Sequence, residues 1–139
     1  SNSFVEMIDF YPTLAELAGL EIPDYVKGKS MVPILEDAGA TVRDNAFSMV
    51  ANHYMSRWMD NTYTGYTIRT DKYRYSLWEE GGPGMIEFYD RTSDPAEMVN
   101  LAEDPKYRDI MKHLDILLRE RIREGQEEPE GLRVTWPEE

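Results

Sequence analysis

Cysteine is absent from this 139-residue chain, histidine occurs only twice, and basic residues are scarce beside acidic ones, with 15 Lys and Arg against 27 Asp and Glu. Each shortage removes a class of function. Without thiols there is neither a disulfide framework nor a thiolate metal site, and the compartment stays open. His53 and His113 are far apart in sequence with no third ligand beside them, which is a poor zinc signal. A formal net charge of -12 disfavours nucleic acid and anionic membrane surfaces, because affinity for both is carried by clustered Lys and Arg. No apolar run approaches the roughly 20 residues of a spanning helix, and no signal-peptide pattern precedes Val5. The opening Ser1-Asn2-Ser3 reads as an expression scar ahead of a start in mid-helix.

What is present argues for one folded domain with a modest core. Hydrophobic residues make up 41% of the chain, and nine Tyr with three Trp are too many for a disordered segment. Residues 4–20 read as a helix, with apolar positions at Phe4, Ile8, Tyr11, Ala15 and Ala18 and a second set at Val5, Leu14 and Leu17. Pro12 is tolerated only near the first turns, so the regular part begins at about Phe10. Gly19 is the expected C-cap, Pro23 stops the helix, and a helical turn follows over residues 31–36.

From Ala46 the pattern alternates. Residues 46–51 read as a buried strand, 52–64 as a loop rich in polar and aromatic residues, and 66–70 with 73–78 as a hairpin turning at Asp71-Lys72. A Gly-rich link leads to a strand at residues 85–90. Residues 105–124 form the strongest helical pattern, with Ile110, Leu114, Leu117, Leu118 and Ile122 in one stripe and Asp104-Pro105 as cap and first position. The expected fold class is α+β: an antiparallel sheet of about four strands packed by a long C-terminal helix, preceded by an N-terminal helix. Residues 126–139 read as an acidic tail in which Leu132, Val134 and Trp136 are able to dock as a short strand.

Charge runs such as Glu79-Glu80 and Glu127-Glu128 read as solvated surface, and no stretch has the order of an EF-hand loop. His113 reads as a helix-surface residue. Arg69 and Arg74 face each other across the hairpin and read as partners in cross-strand contacts. The loop carrying Asn52, His53, Arg57 and Trp58 gathers polar and aromatic groups of the kind that contact sugars, and these four are the candidate substrate-binding residues.

One segment is more particular. Residues 87–105 read EFYDRTSDPAEMVNLAEDP, and Asp94, Glu97 and Asn100 fall where short polar side chains tie down a turn. This resembles the C-terminal signature of the sulfatase family, in which a strand E-L-Y-D leads into D-P-x-E-x-x-N-L-A and a closing helix. The opening VEMIDFYPTLAELAGL is similar to the family's D-x-x-P-T-L helix. Lys27-Gly28-Lys29-Ser30 with Pro33-Ile34-Leu35 is similar to the segment after it, and GYTIRTDKYRYSLW is similar to a hairpin of iduronate-2-sulfatase-type enzymes.

The resemblance implies an alkaline phosphatase-like enzyme that hydrolyses sulfate esters with a formylglycine nucleophile and a calcium ion, in a periplasmic, extracellular or lysosomal setting. The implied substrate is a uronate 2-O-sulfate in a glycosaminoglycan-like polysaccharide. The family's C/S-x-P-x-R motif has no counterpart in this chain, because there is no cysteine and no serine has both proline two positions on and arginine four positions on. The chain is therefore expected to be a C-terminal fragment with no catalytic or metal-ligating residues of its own. Residues 4–45 would be the edge of the catalytic domain, 46–125 the C-terminal subdomain and 126–139 the tail. Its expected partners are that catalytic domain and the sulfated polysaccharide, with self-association through the exposed opening helix. Two alternatives stay open: a sulfated-glycan binding module, which calls for a basic groove, and a piece of a related phosphonate hydrolase or phosphodiesterase.

Overall fold

The computed structural model describes residues 1–51, 64–79 and 85–127. A 3-10 turn at Met7–Asp9 leads into α1 (Phe10–Leu17), and a short α2 (Val32–Glu36) follows. Four strands come next, β1 (Asn45–Ala51), β2 (Thr64–Thr70), β3 (Tyr73–Glu79) and β4 (Met85–Asp90). A further 3-10 turn, Pro105–Tyr107, opens α3 (Arg108–Gln126). The strands form one antiparallel meander in the order β1-β2-β3-β4. The fold is α+β, as the sequence pattern indicates.

The pleat explains which side holds the core. Phe47, Ile68, Tyr75 and Phe88 are successive cross-strand partners and share one face, while Ser48, Thr67, Ser76 and Glu87 make the corresponding row on the other. Leu114 and Leu118 of α3 are buried against Ile68, Tyr75 and Phe88, with Ile110, Leu117 and Ile122 packed around them. Burial of each such side chain contributes roughly 1.5–3 kcal/mol. The Phe88 ring lies between Tyr73, at 5.4 Å, and Tyr107, at 5.1 Å between centroids. Asp104 caps the turn before α3 by accepting from Lys106 N at 2.9 Å.

On the opposite face the Trp78 indole lies over Gly65. A Cβ at Gly65 would stand 2.7 Å from two ring carbons, so the position has no room for any side chain. Gly19, with φ +68°, terminates the first helical segment as expected.

Two expectations need correction. Residues 46–51 were expected as a buried strand, yet β1 is an edge strand on which Met49 is 60% and Val50 53% exposed. An edge position and a half-covered face account for that. The opening helix, read over residues 4–20, is the second: its apolar band is exposed, as expected of a helix without its catalytic domain, with Pro12, Thr13 and Ala15 buried and Phe10, Tyr11, Leu14 and Leu17 at the surface, but its extent is shorter. The regular helix stops at Leu17 rather than Leu20. Polar bonding, described next, sets its orientation.

Candidate functional site

Asp9 is fully buried, and four donors converge on its carboxylate. Oδ1 accepts from Lys29 N at 2.7 Å and from an Arg43 guanidinium nitrogen; Oδ2 accepts from Glu6 N at 2.8 Å and from Arg43 Nε at 2.9 Å. Thr13, one turn later, donates its hydroxyl to the Asp9 carbonyl and accepts from Met31 N at 2.8 Å. The Asp and Thr of the opening motif thus hold the backbone of the Lys27-Gly28-Lys29-Ser30 segment, and the two motifs are halves of one contact. Gly28 is needed where they cross, since a Cβ there would stand 2.0 Å from the Ile8 carbonyl oxygen.

Burial is the largest single influence on Asp9 and pushes its carboxyl up. The Arg43 hydrogen bond and the amides of Lys29 and Glu6 outweigh it together, so the group is held below the usual carboxylate range. Arg43 is raised in turn, first by the Asp9 hydrogen bond.

Glu6 carries the network across to the sheet and α3. Its carboxylate accepts from Arg121 at 2.8 and 2.9 Å and from Phe47 N at 2.9 Å, and Arg121 also donates to Asn45 Oδ1 at 3.2 Å. Glu6, Asp9, Arg43 and Arg121 are two anions and two cations, a balanced set whose members have little water to fall back on. Beside it the opening stretch, β1 and the C-terminal half of α3 border an open cleft of about 950 Å³.

The second motif region is a fastening on the far side of the sheet. Asn100 Oδ1 accepts from Phe88 N and Ala102 N, each at 3.0 Å, and its Nδ2 donates to the Ile86 carbonyl at 3.1 Å. With Leu101 N donating to the Phe88 carbonyl at 2.8 Å, this short segment covers the outer edge of β4 as a strand would. Asp94 Oδ2 accepts from Met98 N and Val99 N at 2.7 and 3.0 Å. Glu97 has φ 56°, unusual for a residue with a Cβ, and is held there by Arg74 at 2.7 Å and Arg91 at 3.2 Å.

Arg74 also lies over the Tyr89 ring at 5.0 Å, and Arg69, its cross-strand partner, lies over Phe4 at 5.6 Å. The two arginines are therefore engaged separately, in packing contacts as the sequence reading expects. Asp94, Glu97 and Asn100 are likewise turn and edge groups. His113 is exposed on α3.

Asn52, His53, Arg57 and Trp58 lie outside the described residues. So does the tail beyond Glu127. Among the described residues no three His, Cys, Asp or Glu side chains converge as metal ligands do. Asp9 is engaged by Arg43 and two amides, and Asp94 by two amides. Sequence reasoning missed Glu6, Arg43 and Arg121. Their separations, 34 residues for Arg43–Asp9 and 115 for Arg121–Glu6, leave no local pattern to find.

Residues 1–124 match the family described as N-sulphoglucosamine sulphohydrolase, C-terminal. The chain belongs to this family of sulfatase C-terminal domains. Among its relatives is the Delta 4,5-hexuronate-2-O-sulfatase of Bacteroides thetaiotaomicron, 32% identical over 127 residues that cover 91% of this chain and 25% of that protein. Arylsulfatase K of Mus musculus is 27% identical over 124 residues, covering 84% of this chain and 21% of its own length. A solved protein in complex with its substrate D-glucosamine-2-N, 6-O-disulfate shares the fold with a TM-score of 0.71 at 30% identity, over 84% of this chain and 23% of that one. This sulfatase C-terminal domain thus spans about a quarter of the length of the curated relatives it matches. The motifs of the Asp9 contact and of the Asn100 edge fall within the matched region.

Proposed function

We propose that the chain is the non-catalytic C-terminal part of a sulfatase whose intact form hydrolyses sulfate esters of glycosaminoglycan-type sugars, with a uronate 2-O-sulfate as the favoured substrate. An iduronate-2-sulfatase-like specificity is in keeping with the Gly65-Tyr66-Thr67-Ile68-Arg69 hairpin and with the sugar-directed names of the relatives. A formylglycine nucleophile and calcium would be supplied by the remainder of such an enzyme.

The observation that carries the reading is the inverted opening helix. Its polar side is spent on Arg43, Lys29 and Met31, whereas Met7 is 80%, Leu14 64% and Leu17 61% exposed. An apolar face of that extent suits packing against a catalytic domain, with residues 4–45 at the junction, 46–125 as the subdomain and 126–139 as the tail. The same face would drive self-association when the partner is missing. From this position Asn52, His53, Arg57 and Trp58 would contribute one rim of the substrate cleft.

The test is reconstitution. The 139-residue chain alone is expected to release no sulfate from 4-nitrocatechol sulfate, and co-expression with a catalytic domain is expected to give release from a 2-O-sulfated uronate disaccharide. Turnover by the chain alone through successive purification steps would refute the non-catalytic role. An assembled enzyme that cleaves a phosphonate or phosphodiester and leaves sulfate esters intact would refute the sulfatase assignment.

A further inference from the structure

A chain with net charge -12 has few cations to spare, so their clustering carries information. Arg108, Lys112 and Arg119 are spaced by four and seven residues on α3, which places them, with Asp115, within an arc of roughly 60° on the helix. All four border one groove of about 340 Å³ between α3 and the sheet, with Leu77, Ile86 and Met111 among the apolar groups lining it.

The carboxylates nearby do not cancel this charge equally. Asp115 is engaged inward: Oδ1 accepts from the buried Tyr75 hydroxyl at 3.1 Å and Oδ2 from Arg119 Nε at 2.8 Å. Lys112 meets Asp109 at 3.4 Å, but the two side chains are 69% and 96% exposed, so water competes for both and the pair is weak. Arg108 has no ion-pair partner among the described residues. Two cations are thus free to exchange water or a loose partner for a ligand anion, and a third is held in line by Asp115.

We propose that this groove binds a sulfated saccharide, with sulfate groups against Arg108 and Lys112 and the less polar sugar surface over the Leu77–Ile86–Met111 side. The choice of a sulfated sugar among anions rests on the function proposed above, while the groove itself does not. Arg supplies a planar fork suited to sulfate oxygens, and Lys a mobile point charge. Binding is expected to be weak and strongly salt-dependent, because each neutralised anion releases counterions and the rest of the chain repels a polyanion.

The probe is a heparin-derived oligosaccharide titrated against the 139-residue chain at low salt, with its desulfated counterpart and inorganic sulfate in parallel. Arg108→Gln with Lys112→Gln is expected to weaken binding about five- to tenfold and to flatten its salt dependence by about one to two charges. Lys27→Gln with Lys72→Gln removes the same charge from other exposed positions and is expected to leave affinity within about twofold. Absence of binding, equal binding of the desulfated sugar, equal loss in both double variants, or full displacement by inorganic sulfate at matched concentration would each overturn the proposal. Sulfate release by a reconstituted enzyme reads the catalytic assignment separately. Release that persists while the oligosaccharide fails to bind this groove sinks the groove alone.

Discussion

Arg43 reaches back 34 residues to Asp9, with Nε donating to Oδ2 at 2.9 Å in a fully desolvated site. The contact fastens the opening helix to the start of the sheet through charge, not through an apolar core.

Asp9→Asn is therefore expected to cost about 3–5 kcal/mol, because it leaves Arg43 buried without its full counter-charge. Urea midpoints measure this. Replacing both partners, Asp9→Asn with Arg43→Met, should be less damaging than the single change; a double variant that loses as much again would mean that the pair is not coupled.

Acid should act through the same carboxylate. Its folded pKa lies below the ordinary 3.8, so the stability it contributes is complete above that value and drains away as pH falls through the folded pKa. Denaturation midpoints should drop on acidification below about pH 4, and the Asp9→Asn profile should be flatter there. Parallel profiles would assign the acid loss to other carboxylates.

Alkali is expected to act at Tyr75. Burial first, and then the neighbouring Asp115 charge, push its hydroxyl from 10.0 up to about 12. The fold favours the neutral phenol, so this contribution is intact below pH 10 and is lost as pH climbs from 10 to about 12, with a slope of up to about 1.4 kcal/mol per pH unit. Asp115→Asn should bring the phenolate titration, followed by absorbance, back toward the ordinary value.

Asn100→Ala removes the acceptor of the buried Phe88 amide and uncovers the β4 edge. A loss of about 1–3 kcal/mol is expected, together with concentration-dependent aggregation seen by light scattering. Asn100→Asp keeps the acceptor but loses the donor to Ile86, and should fall between Ala and the parent. An Ala variant as stable and as soluble as the parent would remove the edge-covering role.

Gly65→Ala should cost about 1–3 kcal/mol in thermal or denaturant unfolding, since the new methyl overlaps the Trp78 ring. Combining it with Trp78→Ala relieves the clash, so the double variant should lose less than the sum of the two single changes. Simple additivity would show that the indole yields without strain.

Several elements were legible because their cause is local. The stripe Ile110, Leu114, Leu118 and Ile122 shares one helix face whatever packs on it, and β2 and β3 carry the alternation that a half-buried pleat requires. Gly19 and Asp104 act within a few residues of themselves. The D-P-x-E-x-x-N-L signature was legible as a family mark and as a turn. The covering of the β4 edge by Asn100 depends on a strand twelve residues away, between Phe88 and Asn100, that the motif does not encode.

The sequence by itself determined the α+β class, the strand–turn–helix order, the family resemblance and the lack of that family's nucleophile motif, because these depend on composition, short periodicity and contiguous motifs. Only the tertiary structure decided which side of the opening helix is buried. Apolar periodicity includes Tyr11, Leu14 and Leu17 alongside Ala15, yet only Ala15 of these is buried. A buried carboxylate at Asp9 has to find donors, and Glu6, Lys29 and Arg43 converge on it only after the chain has folded back.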